Sequence, residues 1–130
     1  MKKWFLMIVV WFTVFLLTII LFKNCRSAAV IDQPVEPGRL VDAVYQGSYK
    51  HGPNKAEVEV TIQNQKIIKV EILKHNAWKG KKAESFIPNR IVEKQSTNVE
   101  AVSGATNSSN VIMNAVQKAI EKSYLENQEQ

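Results

Sequence analysis

"AEVEVTIQNQKIIKVEIL", residues 56–73, decides the fold. In its first half Val58, Val60 and Ile62 fall on one side, and Glu57, Glu59, Thr61 and Gln63 on the other. A period of two is that of a strand with one buried face. The second half, Lys66 to Leu73, repeats the pattern through Ile68, Val70 and Ile72. Asn64-Gln65 lies between the halves, and Asn tolerates the positive φ that a two-residue hairpin turn demands. The stretch therefore predicts an antiparallel hairpin with one apolar face.

That face needs a cover, and the flanking sequence offers it. Upstream, "AVYQGSYK" (43–50) predicts a further strand, with Val44, Gln46 and Ser48 alternating with Tyr45, Gly47 and Tyr49. Downstream, Val111, Ile112, Ala115, Val116, Ala119 and Ile120 form a stripe at 3.6-residue spacing, which predicts a helix from about Ser108 to Tyr124 capped by Ser108 or Ser109. Between them, "GKKAESFIPNRIVEKQ" (80–95) has broken helical periodicity. Pro88 is expected to end or kink its first piece, leaving two short helices or turns. The fold class is α+β: a small antiparallel sheet with short helices and a C-terminal amphipathic helix, over residues 43–125. Some eighty residues suffice for one small core.

The N-terminus has another character. From Trp4 to Phe22 nineteen residues run without a charge, about 28 Å of helix and close to the hydrocarbon thickness of a bilayer. A cleavable signal peptide has an apolar region of only about 7–15 residues, so an uncleaved anchor over residues 1–26 is the preferred reading, although "SAA" at 27–29 fits a cleavage site. Lys2 and Lys3 favour the N-terminus inside, placing the domain outside the cytoplasmic membrane as a single-pass protein. Residues 27–42, with Pro34, Pro37 and Gly38, read as a tether. The net charge of +5 is mostly an anchor property, because residues 1–26 carry four positive charges and no negative ones. The domain is nearly neutral, without the basic patch a nucleic-acid partner requires. One cysteine forms no internal disulfide, and His51, His75 and Cys25 lack metal-ligand spacing.

The chemistry concentrates at 99–109, "VEAVSGATNSS". Ser103, Thr106, Ser108 and Ser109 crowd around Gly104 just before the apolar helix. Gly104 allows a sharp turn and close approach of a ligand. The helix start presents unpaired N–H groups and a partial positive charge, which together attract phosphate. Taken alone, the cluster reads first as a loop with an N-cap and second as a phosphate site.

The stretch resembles the signature of the FMN-binding domain family, roughly D-x-V-[ST]-G-A-T-x-[ST]-S. That family includes small flavoprotein subunits of ion-pumping NADH:quinone and ferredoxin:NAD oxidoreductases and related membrane-anchored electron carriers. "YQGSYKHG" (45–52) is similar to the family's opening strand, the hairpin to its central strands, and residues 83–120 to its C-terminal half. The resemblance implies FMN joined through its phosphate to Thr106 by a flavin transferase, with Ser103, Gly104, Ala105, Ser108, Ser109 and Glu100 around it. Glu100 departs from the pattern, which has Asp there.

An isoalloxazine needs an apolar wall and hydrogen-bonding groups, and "KHNAWKGKKAE" (74–84) is the candidate segment. Two readings of His75 stand, a hydrogen bond to the flavin or an ordinary loop histidine. Trp78 likewise either stacks on the ring or packs elsewhere. With no acid/base set in view, the expected function is electron transfer between a membrane redox donor and an extracytoplasmic or quinone-linked acceptor, by a carrier rather than a self-contained enzyme. The alternative is a flavin-free extracytoplasmic binding or accessory module of the same fold.

Overall fold

The computed structural model describes residues 3, 4, 7, 8, 10–15, 35, 36, 38–77 and 80–129. Three strands, β1 (Val44–His51), β2 (Asn54–Gln63) and β3 (Lys66–Asn76), form an antiparallel sheet in the order β1-β2-β3. Helix α1 (Lys81–Lys94) packs against β3, and helix α2 (Thr106–Gln128) lies across β1 and β2. The α+β class is as expected.

The stripe expected of the C-terminal helix is the centre of the core. Val111, Ile112, Ala115, Val116, Ala119 and Ile120 are all buried, against Val58, Val60 and Ile62 of β2. The hairpin turn at Asn64-Gln65 has φ of 51° and 58°. The Asp42 carboxylate holds it, accepting from the backbone N–H of both residues at 2.8 Å. Residues 35, 36 and 38–43 pack beside the C-terminal half of α2 and contribute Val35 and Leu40 to the core.

Two expectations change. The alternation of β3 does not run straight through Ile68, because register shifts leave Ile68 and Leu73 without partners in the ladder. Each bulge turns the following residues over. Ile67, Val70, Ile72 and His75 therefore share the inner face, opposite Ile62, Val60, Val58 and Ala56, while Ile68 and Leu73 are about half exposed. Residues 81–94 form one helix rather than two pieces, with Pro88 inside it. Ala83, Ile87 and Ile91 are fully buried on both sides of the proline, and this shared apolar face holds the two halves in line. The Asn89 side-chain amide adds a hydrogen bond to Ser85 O at 3.1 Å.

No helix among the described residues is long and apolar enough to cross a membrane. Residues 10–15 are helical and exposed, and most of the span read as an anchor lies outside the described residues.

Candidate functional site

Helix α2 starts two residues earlier than its apolar stripe suggests, and this start builds the site. Ala105 is the N-cap and offers no side-chain acceptor. Before it, Val102–Ala105 is a tight turn closed by Ala105 N–H to Val102 O at 2.9 Å, with Gly104 at φ +79°. A positive φ at the third position is the demand of a type II turn, and glycine meets it without strain. The first intrahelical bond runs from Ser109 N–H to Ala105 O. The N–H groups of Thr106, Asn107 and Ser108 thus have no partner among the described residues. Neutral alanine is a poor cap, so three free donors and the helix dipole face outward together.

The four hydroxyls divide the work differently from the expectation. Neither Ser108 nor Ser109 caps the helix; both lie within its first turn and are buried. Ser109 Oγ donates to Ala105 O at 2.8 Å and accepts from Val102 N–H at 3.0 Å, which fixes the turn to the helix. Ser108 packs on Gly80, where a Cβ would lie 1.8 Å from its Oγ, so the close approach requires glycine. Ser103 and Thr106 are exposed, and neither hydroxyl has a protein partner among the described residues.

These parts line one open cleft of about 680 Å³, formed by Gly104, Ala105, Thr106, Asn107 and Ser108 with Pro53, Asn54 and Gly80. Its volume lies in the usual range for a cofactor-sized ligand. Pro53, Asn54 and Asn107 were not singled out from the sequence. Gly52-Pro53, a turn dipeptide with Gly52 at φ +58°, is the one local signal that marks that wall.

Glu100 is exposed, on the irregular run before the turn. Its backbone carbonyl accepts from Arg90 Nη1 at 2.5 Å, which ties this run to α1. His75 is not a loop residue. It is on β3, its side chain only 2% exposed, with Nδ1 2.7 Å from Glu84 Oε1 in the first turn of α1. Trp78 lies outside the described residues. No cluster of metal-ligating side chains occurs among the described residues.

An uncapped helix start, a glycine turn and a free hydroxyl beside a roomy cleft fit a phosphate-bearing cofactor. The family comparison agrees: a family model described as the FMN-binding domain matches residues 51–121. The fold is similar to the crystal structure of the CPE2226 protein from Clostridium perfringens, with a TM-score of 0.55 and 19% identity, over 67% of this chain and 91% of that chain. At that identity the likeness concerns the fold. The glycine turn, the uncapped helix and the matched residues together mean that this chain belongs to the FMN-binding domain family.

Proposed function

We propose that the chain is a membrane-tethered electron carrier whose FMN is joined through its phosphate to Thr106 Oγ1. The observation that carries this reading is the start of α2: three free N–H donors and an unpartnered, exposed Thr106 hydroxyl on the same cleft. Bound there, FMN supplies one- or two-electron redox chemistry. The first-turn N–H groups and the helix dipole hold the phosphate, Gly104 admits it close to the backbone, and Ser109 keeps the turn rigid. Glu100, three residues before Ser103, brings a carboxylate to the face that a flavin transferase must approach. Outside the cytoplasmic membrane a covalent bond retains a cofactor that could not be replaced. The apolar run 4–22 supplies the tether in lipid, and the partners are a membrane redox donor and an extracytoplasmic or quinone-linked acceptor.

The test is co-expression with a flavin transferase. Wild type should gain the mass of FMN less one water and fluoresce on a denaturing gel. Thr106→Val removes the acceptor oxygen and keeps the volume, so the label should vanish while the melting temperature holds. Glu100→Asp should label at least as fast as wild type. Reversible FMN binding without a label in both wild type and Glu100→Asp would reject the ester and keep the site.

A further inference from the structure

Among the described residues, His75 Nε2 is the buried side-chain polar atom without a hydrogen-bond partner. Buried polar atoms are nearly always satisfied, so an orphan calls for a cause. The bulge at Leu73 is what turns His75 onto the inner face, opposite the fully buried Ala56. Its other nitrogen is engaged: Nδ1 lies 2.7 Å from Glu84 Oε1. An ionised carboxylate only accepts, so Nδ1 carries the hydrogen and Nε2 the lone pair. A carboxylate-fixed imidazole with a free lone pair is built to take up a proton or hydrogen bond, and Glu84 then balances the resulting positive charge.

The position couples this group to the cofactor cleft. Ala56 is two residues from the cleft-lining Asn54, and Glu84 is in the first turn of the helix whose cap residue, Gly80, also lines the cleft. From α1 His75 meets Glu84, with Lys81 and Lys82 exposed on the same turn. On β2, Lys55 and Glu57 pair with each other, and Lys74 beside them on β3 is exposed. In general, at an effective dielectric of about 20, two unit charges about 10 Å apart shift one another's protonation about tenfold.

Resting on the cofactor reading above, we propose that His75 is the proton acceptor coupled to reduction of the bound flavin, with Glu84 as its positioning residue. Two electrons from an external redox donor and one proton bring the flavin to its anionic reduced form. A second proton, from water, bonds to His75 Nε2 and makes the imidazolium, paired with Glu84. Oxidation returns both electrons to an acceptor and both protons to solvent.

The experiment measures the FMN midpoint potential of the loaded full chain against pH, with dithionite as reductant, for wild type, His75→Gln and Glu84→Gln. Over part of the pH range measured, wild type should take up one more proton per two electrons than His75→Gln. Its potential should therefore fall more steeply with pH over at least part of that range. Glu84→Gln keeps a side chain near Nδ1 but removes the charge, so its steep region should move to lower pH. Nitrogen NMR of the flavin-free protein gives a separate readout, with His75 expected as the Nδ1–H tautomer. Parallel potential curves for wild type and His75→Gln would overturn this inference alone, as would an Nε2–H tautomer. Failure of wild type to take up FMN would overturn the proposed function and this inference with it.

Discussion

Gly47 is where the sheet and the long helix meet most closely. A Cβ there would lie 2.0 Å from Ala115 O and 2.7 Å from Ala119 N, both backbone atoms of α2. A flexible side chain gives way to such a contact, but a hydrogen-bonded helix backbone in a close-packed core does not. Gly47→Ala should therefore push α2 from β1 and cost about 1–3 kcal/mol, read as a lower urea midpoint. Gly52→Ala is the control: at φ +58° it is strained, but its Cβ meets nothing within 4 Å. It should be the milder change. If Gly47→Ala melts with the parent, the two elements do not approach this closely. At this scale the location of the site was legible in the hydroxyl cluster, but the role of each hydroxyl was not. Which serine caps, braces or faces the ligand depends on where the helix begins. Here the Val102–Ala105 turn, through its own backbone bond, begins it at Thr106.

Elements with a single period were read from the sequence, and elements with two competing signals were not. The stripe of α2 and the alternation of β2 continue unbroken, so burial follows spacing directly. In β3 two extra residues reset the alternation, and no local residue type distinguishes Ile67 from Ile68 as the inward side chain. The choice is made by the partner strand, since Ile67 pairs with Ile62. In α1 the breaker signal of Pro88 loses to the common buried face of Ala83, Ile87 and Ile91. The tie between β1 and the end of α2 gives a pH test at this scale. Tyr45 is buried and donates to Glu126 Oε2 at 2.6 Å. Burial first, and then the Glu126 hydrogen bond, raise its hydroxyl above the ordinary tyrosine value. Above that ordinary value the unfolded chain ionises at Tyr45 while the folded chain keeps the proton, so stability falls as pH rises. The advantage of wild type over Tyr45→Phe should be complete below about pH 10 and shrink above it, as measured by urea unfolding across the alkaline range. A constant difference would mean that Tyr45 ionises equally in both states.

Across the described residues, the segment before β1 and the cleft lie toward opposite ends of one helix. Glu36, Arg39 and Val41 are bound at the C-terminal half of α2: Tyr124 OH accepts from Glu36 N–H at 2.9 Å, Ser123 Oγ from Val41 N–H at 2.8 Å, and Asn127 Nδ2 donates to Arg39 O at 3.0 Å. The cleft is at Thr106, 17 to 21 residues before these contacts, about 26–32 Å away along the axis. A chain entering toward one end and a cofactor cleft at the other suits the carrier proposed above, which would present its flavin away from its attachment. This arrangement also decides where the soluble unit begins. Residues 27–42 read as a tether by their prolines and glycine, yet Val35 and Leu40 are buried in the core. Burial of two such side chains contributes about 3 kcal/mol or more, a large part of the stability of a small domain. A chain beginning at residue 33 should therefore be soluble and as stable as the full protein extracted in detergent. One beginning at residue 43 should melt well below it, having lost both side chains and the Asp42 hold on the hairpin turn. The full chain should stay with membranes through a carbonate wash, whereas both shortened chains should not. Equal melting temperatures for the two shortened chains would show that residues 35–42 add no stability. Release of the full chain by carbonate would remove the anchor and leave the FMN cleft as it stands.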